Sequence, residues 1–190
     1  MWLPVGLDFG DQSCVISIYR NGRAEIISNQ CSHRLTPTMV TYTNYRRYSG
    51  EDSHQRRMEN ITSTFTNLKR FLSLTYSNPL CNSLKSIIPF ELVELPNELI
   101  GMPISFHDRN MTLFPEQCIA FLFKDISNQL IRPNAQTNDY VISVPPHWTE
   151  PQRKALLFAV KLSGINCLVL LHSSTAAALC YFKTKGQQFF

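Results

Sequence analysis

The sequence contains no apolar run long enough to cross a membrane and no low-complexity tract. Its first residues carry no basic segment ahead of an apolar one, so the pattern of a secretory signal is absent and no membrane partner is expected. The six cysteines are scattered without a Cys-x-x-Cys pair, which argues against the common zinc sites and disulfide frameworks. These absences favour a reducing compartment, either the cytosol or the nucleus.

Charged residues are also few. Charged residues make up 17% of the 190 residues and hydrophobic residues 44%, a globular composition that can bury the core of one domain or of two small ones. The net charge of +4 is densest at short basic pairs, such as Arg46-Arg47 and Lys69-Arg70, and no continuous basic stripe is present. Nucleic acids bind to continuous basic faces, so we expect no nucleic-acid partner.

What the sequence does contain, at residues 5–18, is a pair of apolar strands that reverse around an acidic residue and a glycine. Gly10 lets the backbone approach a ligand closely, the amides and side chains of Gln12 and Ser13 can donate to phosphate oxygens, and Asp8 can hold a hydrated divalent metal. This pattern is typical of a phosphate-binding hairpin. An ordinary hairpin with polar turn residues has the same pattern, so both interpretations stay open for the segment alone.

Short strands and one helical stretch are predicted for the part of the chain that follows. Strands at 24–27 and 39–42 would extend the hairpin into an antiparallel meander. The apolar spacing within residues 51–73 indicates a helix. Further short strands, interrupted by prolines, are predicted at 87–95, 99–106 and 111–114.

From Pro115 onward, strands and helices alternate. Pro115 suits the first position of a helix, and the apolar residues after it recur at helical spacing. Continuous apolar runs at 140–144 and 166–171 predict buried strands. Thr149 is a suitable N-cap for the helix between them, and Ser173 begins an alanine-rich helix. This order predicts an α/β fold, with a mixed sheet, helices on both of its faces and a small α+β insertion.

Six motifs occur along the chain in the order in which one protein family has them. They are Gly6-Leu7-Asp8-Phe9-Gly10-Asp11-Gln12-Ser13-Cys14, Arg34-Leu35-Thr36-Pro37-Thr38, Asn67-Leu68-Lys69-Arg70-Phe71, Val144-Pro145-Pro146-His147-Trp148-Thr149-Glu150-Pro151-Gln152-Arg153, Ser163-Gly164-Ile165-Asn166 and Thr175-Ala176-Ala177. With them the chain resembles, nearly end to end, the amino-terminal lobe of the actin-like ATPase domain of the 70-kDa heat-shock protein family. The Gly-Asp-Gln-Ser turn and the Val-Pro-Pro string favour its 110-kDa subfamily, whose members act as co-chaperones and nucleotide exchange factors for their 70-kDa relatives.

The resemblance implies an actin-like, ribonuclease H-like lobe, with a core subdomain at about 1–38 and 115–190 and an inserted subdomain at about 39–114. It implies ATP or ADP with Mg²⁺ as ligand, and a 70-kDa heat-shock chaperone or unfolded clients as partners. By position, it also implies a set of site residues: Asp8 as the metal-side acid that holds Mg²⁺ through water, Gly10, Asp11, Gln12 and Ser13 as the first phosphate loop, Lys69 as the lysine that contacts the transferred phosphate and orients water, and Pro145 and Arg153 as a switch that relays the nucleotide state.

One position departs from the family. In ATP-hydrolysing members, the strand before the alanine-rich helix ends in an acidic residue, and Ser173 stands at that position here. A serine hydroxyl carries no charge near neutral pH and is a poor base, so we expect impaired hydrolysis, and whether the chain is an enzyme stays open. Neighbouring His172 is an alternative base, but on a strand its side chain would point to the face opposite that of Ser173.

The sequence also ends ahead of the family's second phosphate loop and second lobe, so we expect weak or absent nucleotide binding and an exposed apolar patch on the helix at 176–181. Two functions follow from these expectations. The first is a truncated, divergent ATP-binding chaperone domain of the exchange-factor or holdase lineage. The second is a nucleotide-independent module that binds a chaperone or another copy of itself. A small-molecule kinase of the actin fold would share the first hairpin, but the motifs after Val144 resemble those of chaperones.

Overall fold

The computed structural model describes residues 4–131 and 138–185. Among these residues, ten short strands lie in the first two thirds of the chain, and longer helices alternate with strands in the last third. Within these residues the strands are β1 (Val5–Phe9), β2 (Ser13–Arg20), β3 (Arg23–Ile27), β4 (Thr36–Pro37), β5 (Val40–Tyr42), β6 (Arg47–Ser49), β7 (Thr64–Phe65), β8 (Val93–Leu95), β9 (Leu99–Phe106), β10 (Arg109–Leu113), β11 (Asp139–Val144) and β12 (Asn166–His172). The α-helices are α1 (Gly50–Arg56), α2 (Pro79–Lys85), α3 (Pro115–Ile131), α4 (Glu150–Ser163) and α5 (Ser173–Lys185). Turns of 3-10 helix lie at Ile61–Ser63, Leu68–Phe71 and Pro96–Glu98. Expectations that concern residues 1–3 and 186–190 lie outside the described residues.

The main sheet is mixed. Its strands run in the order β12-β11-β1-β2-β3, and β4 pairs with β2. The pairs β1–β11 and β11–β12 are parallel, whereas β2 pairs antiparallel with β1, β3 and β4. Because parallel strands end at the same side of a sheet, the carboxyl ends of β1, β11 and β12 lie along one edge.

Helices lie on both faces of this sheet, as predicted. Alternate residues of β1 and β11 are buried, and the ring centroid of buried Phe9 lies 5.0 Å from that of Phe123 in α3, so α3 covers this face. Tyr19 of β2 points to the other face, where the Nζ atom of Lys183 in α5 lies 4.2 Å from its ring centroid. The helix α5 therefore crosses the second face from β12 toward β2.

In the part of the chain where strands and helices alternate, capping residues in the sequence determine where the helix α4 begins and ends. Thr149 is the N-cap of α4, and its backbone N–H donates to Oε1 of Gln152 at 3.0 Å, as in a capping box. The helix ends at Gly164, whose φ of +78° is the left-handed conformation that glycine adopts without strain. Its buried residues, Leu156, Ala159, Val160 and Ser163, form one stripe.

Residues 40–113 form two smaller sheets, ordered β6-β5-β7 and β10-β9-β8. The expected meander is wrong beyond β3, because β5 pairs with β6 and β7, and β4 takes the place next to β2. The subdomain boundaries after residues 38 and 114 stay predictions.

Two predictions of secondary structure within this segment are also wrong. The expected helix at 51–73 is limited to α1 and two single turns of 3-10 helix, and the left-handed φ of 55° at Asn67 interrupts helical backbone there. The strand expected at 87–95 is limited to β8, at Val93–Leu95. Ahead of it, residues 79–85 form the unpredicted helix α2, because Asn78 accepts a capping hydrogen bond from the N–H of Leu80 and Pro79 occupies the first turn.

The strand β12 is present but is not buried as expected. It lies at the end of the main sheet, and Leu168 and Val169 are 51% and 49% exposed. None of the helices within residues 4–131 and 138–185 has both the length and the apolarity needed to span a bilayer.

Candidate functional site

Asp8 lies at the carboxyl edge of the main sheet. It is the fourth residue of β1, its side chain is exposed, and it is paired in register with Ser143 of the parallel strand β11. The hydroxyl of Ser143 donates a hydrogen bond to Oδ1 of Asp8. The neighbouring strand thus orients the carboxylate and leaves its second oxygen to other ligands.

The turn that follows Asp8 is tight at Gly10. A Cβ atom at Gly10 would lie 2.4 Å from the carbonyl oxygen of Ser13, so only glycine fits without a shift of the backbone. Two hydrogen bonds of Thr38 hold the turn from the side: its hydroxyl donates to the carbonyl of Gly10 at 2.9 Å, and its N–H donates to the carbonyl of Gln12 at 2.9 Å. The second motif therefore supports the first.

The side chains of this turn contact the 3-10 turn at Leu68–Phe71. Arg70 Nε donates to Oδ2 of Asp11 at 3.1 Å, and Gln12 Nε2 donates to Oδ1 of Asn67 at 3.4 Å. The third motif thus packs against the first. These contacts hold the side chains of Asp11, predicted as part of the phosphate loop, and of Gln12, predicted to donate to phosphate.

Lys69 lies beside the same turn. Its Nζ atom donates to the carbonyl oxygen of Phe9 at 2.5 Å and lies 5.5 Å from the ring centroids of Phe9 and Trp148. Burial lowers the pKa of the ammonium group, and the nearby charges of Asp11 and Asp8 partly oppose this shift. An ammonium group has three N–H donors, so Lys69 can bind the Phe9 carbonyl and an anionic ligand together.

The predicted switch residues lie on the segment that follows β11. The N–H of Trp148 donates to the carbonyl of Pro145 at 3.3 Å, and Arg153 Nε donates to the carbonyl of Trp148 at 3.3 Å. Arg153 Nη2 also lies 2.8 Å from Nε2 of His172, at the end of β12. Arg153 therefore connects the loop after β11 to the last strand of the sheet.

Ser173 is the first residue of α5, directly after β12. Its side chain is exposed and lies at the same carboxyl edge as Asp8, but β11 stands between their strands. The contact of His172 with Arg153 was missed, since the residues are 19 apart and follow no shared periodicity. The partners Ser143, Thr38 and Asn67 were missed too, although Thr38 and Asn67 belong to recognised motifs.

Metal-ligating side chains do not cluster in the parts of the chain that the structure describes. No group of three or more histidine, cysteine or carboxylate side chains is placed to hold an ion there. An ion at the carboxyl edge would therefore be held by Asp8, water and the ligand's own phosphates. Mg²⁺ commonly binds in this way, keeping several waters and one or two carboxylates.

A comparison with known families matches the model described as Hsp70 protein to residues 4–188 of this chain. Among curated proteins, the chain is 32% identical over 93% of its length to the 97 kDa heat shock protein of Strongylocentrotus purpuratus, and 32% identical over 95% to heat shock protein 88 of Dictyostelium discoideum. It is 31% identical over 93% of its length to human heat shock 70 kDa protein 4. The matches span 20%, 24% and 21% of those relatives.

The match covers the hairpin, the 3-10 turn with Lys69, the switch segment and α5 in one alignment range. The chain spans about a quarter or less of the length of these curated relatives. The family agrees with the resemblance read from the six motifs, and the mixed sheet with helices on both faces is the predicted actin-like lobe. The chain therefore belongs to the Hsp70 protein family, and its relatives include heat shock proteins of the 110-kDa and 70-kDa protein 4 type.

Proposed function

We propose that this chain serves as the first lobe of a nucleotide-binding chaperone domain and binds the phosphate end of ATP or ADP at the carboxyl edge of its main sheet. The observation that carries the proposal is the contact between Lys69 Nζ and the carbonyl of Phe9, which places a cation beside the Gly10 turn. Nucleotide binding is a property of the Hsp70 family. A 70-kDa heat-shock chaperone or unfolded polypeptides are the partners that we propose for it.

The chemistry of these residues suits a polyphosphate. The amide-rich turn at Gly10 and the ammonium group of Lys69 can stabilise negative charge on phosphoryl oxygens. Asp8 is an exposed carboxylate that can accept hydrogen bonds from the waters of a hydrated Mg²⁺, and the ion, when bound, would neutralise phosphate charge. The residues present therefore fit Mg²⁺ held through water, with the phosphates as its remaining ligands.

Turnover is a separate matter. Ser173 supplies no carboxylate at the sheet edge, and His172 accepts a hydrogen bond from the Arg153 guanidinium, which occupies the Nε2 lone pair that a base would need. We therefore propose binding with impaired hydrolysis, and a binding measurement tests it better than an ATPase assay.

Isothermal titration with Mg-ATP is the decisive experiment. We expect saturable binding in the wild-type chain that is at least tenfold weaker in Lys69→Ala. Lys154→Ala is the matched control, because this lysine lies on α4 with its side chain 74% exposed. The affinity of this variant for Mg-ATP should equal that of the wild type. No heat up to millimolar Mg-ATP, or equal affinity in Lys69→Ala, would overturn the proposed site.

A second candidate function is a nucleotide-independent interaction module, and the exposure of α5 favours it. Leu179, Tyr181 and Phe182 are 59%, 66% and 73% exposed, so this helix presents apolar side chains to solvent, as expected from the sequence. Such a surface suits a chaperone partner or a second copy of the chain.

Analytical ultracentrifugation and pull-down of a 70-kDa chaperone test this second function. Leu179→Asp should abolish self-association or chaperone capture, whereas Leu80→Asp, at a position that is 66% exposed on α2, should not. A monodisperse monomer that captures no chaperone would rule the module out.

A further inference from the structure

A cavity of about 780 Å³ lies between α2 and the loop after β11, next to the proposed phosphate site. One wall is formed by Leu80, Leu84 and Ile87, and the other includes Pro145 and Trp148. The volume falls within the range of small-molecule sites, roughly 300–1,000 Å³. A ligand in this space would contact mainly apolar groups.

The wall on the α2 side consists of apolar residues whose spacing in the sequence places them on one side of the helix. Leu80 and Leu84 are four residues apart in α2 and share a face, and Ile87 follows the helix after one further turn. Leu84 is 7% exposed and belongs to the core, whereas Leu80 and Ile87 are each 66% exposed. Two large apolar side chains on one cavity wall thus face solvent and can be covered by a ligand.

The opposite wall supplies an aromatic surface. Trp148 is 8% exposed, and its backbone N–H and C=O groups are hydrogen-bonded to Pro145 and Arg153. The backbone at this residue is therefore held in place before a ligand binds. An indole ring favours a flat or branched apolar body, since offset stacking and dispersion reward close contact.

The charged side chains of the cavity lining indicate which polar group a ligand should carry. Lys69 and Arg70 line the cavity together with a single carboxylate, that of Asp11. Arg70 is half exposed and gives its Nε–H to Asp11 at 3.1 Å, and four other N–H groups of its guanidinium remain to bind elsewhere. Two cations facing one anion leave a net positive end, which an anion would neutralise.

We propose that this cavity is a binding subsite for a small organic anion with an apolar aryl or branched-alkyl body. The body lies between Leu80, Ile87 and Trp148, and the carboxylate, sulfonate or phosphate lies at Arg70. A nucleotide base fits this wall poorly, because its several hydrogen-bonding groups would be desolvated against leucine and isoleucine. The subsite goes beyond the proposed nucleotide function and needs no nucleotide.

The aryl sulfonate 8-anilinonaphthalene-1-sulfonate is a suitable probe, titrated into the full chain with Trp2→Phe as background. Quenching of Trp148 emission through energy transfer to the probe reports that the probe has bound to the chain, and the substitutions show where it binds. We expect one saturable site. Ile87→Asp and, independently, Leu80→Asp should weaken it at least tenfold, and Arg70→Gln about fivefold. Both apolar positions are exposed, so these substitutions leave the core intact.

Phe182→Asp on α5 is the matched control, because it removes an aromatic side chain that is 73% exposed and lies outside the cavity lining. Its affinity for the probe should equal that of the background chain. Unchanged affinity in both Ile87→Asp and Leu80→Asp, or loss of binding in Phe182→Asp alone, would overturn the subsite. The titration contains no nucleotide, so a chain that fails to bind Mg-ATP but passes this test refutes the proposed function and leaves the subsite standing.

Discussion

Arg153 and His172 are joined by a hydrogen bond of 2.8 Å between Nη2 of the guanidinium and Nε2 of the imidazole. A guanidinium group can only donate, so Nε2 of the imidazole is the acceptor in this hydrogen bond. The same guanidinium donates to the carbonyl of Trp148. One side chain thus holds the end of β12 against the loop after β11.

Removing this guanidinium should loosen the loop. In Arg153→Ala we expect a red shift of Trp148 emission and a loss of about 1–3 kcal/mol in the free energy of unfolding, as two charged hydrogen bonds disappear. Urea denaturation and fluorescence, with Trp2→Phe as background, measure both. Lys154→Ala, one residue further along α4, should change neither; an equal effect there would show that the pair has no special role.

Gly10→Ala should damage the phosphate turn, because its Cβ would lie 2.4 Å from the Ser13 carbonyl oxygen. We expect a loss of about 2 kcal/mol or more in stability from the forced backbone shift. Gly22→Asn is the control, since that turn has open space and a φ of +80° that asparagine tolerates. Thermal unfolding compares them, and equal Tm values would contradict the geometry.

Lys69 should give a stability that rises with pH. Burial lowers its pKa in the folded chain, so the unfolded chain binds more protons between the folded pKa and the ordinary value of 10.5. The cost of burying the charged amine is present in full below the folded pKa and disappears as pH rises through 10.5. Wild type should therefore gain stability relative to Lys69→Met as the pH is raised toward 10.5, measured by urea denaturation. A pH-independent difference would contradict the burial of the charge.

The cysteines should separate into fast and protected groups. Burial raises the pKa of the Cys14 thiol to about 11 and also raises the pKa of Cys118, so neither forms much of the reactive thiolate at pH 8. Cys31 and Cys180 are exposed. Ellman's reagent followed by mass spectrometry should label Cys31 and Cys180 within minutes and Cys14 and Cys118 only after unfolding. Rapid labelling of Cys14 in the native chain would contradict its burial.

Ser173→Glu should strengthen magnesium-dependent nucleotide binding, because it returns a carboxylate to the carboxyl edge of the sheet. We expect a threefold or greater gain in Mg-ATP affinity, and no gain when EDTA replaces the metal. Ser174→Glu, one residue further into α5, is the control. A gain in both variants, or in neither, would show that position 173 does not face the metal side.

The fold was predictable where local signals act alone. Pro115 at the first position of α3, Thr149 as the cap of α4 and Gly164 at its end each determine a boundary through nearest neighbours. The apolar run of β12 predicted a strand but not its place, because an edge strand and a central one share the same composition. The strand β5 does not continue the predicted meander, because it pairs with residues 47–49 and 64–65 instead. No local sequence pattern encodes these pairings.

The candidate site divides in the same way. Motifs identified Gly10 and Lys69, and in the structure Lys69 Nζ donates to the carbonyl of Phe9, the neighbour of Gly10. The links between motifs, such as Asp11 with Arg70 and Arg153 with His172, join residues 59 and 19 positions apart and depend on the tertiary fold. Sequence spacing carries no information about contacts of that kind.

The parallel pairing of β1 with β11 sets the order in which this lobe can be completed. Val5 pairs with Tyr140, so the first strand waits for a partner that is made about 135 residues later. At a translation rate of about 5–20 residues per second, that wait lasts roughly 7 to 27 s. For most of that time the apolar face of the opening hairpin has neither β11 nor α3 against it. A member of a chaperone family thus exposes apolar surface of its own while it is being made.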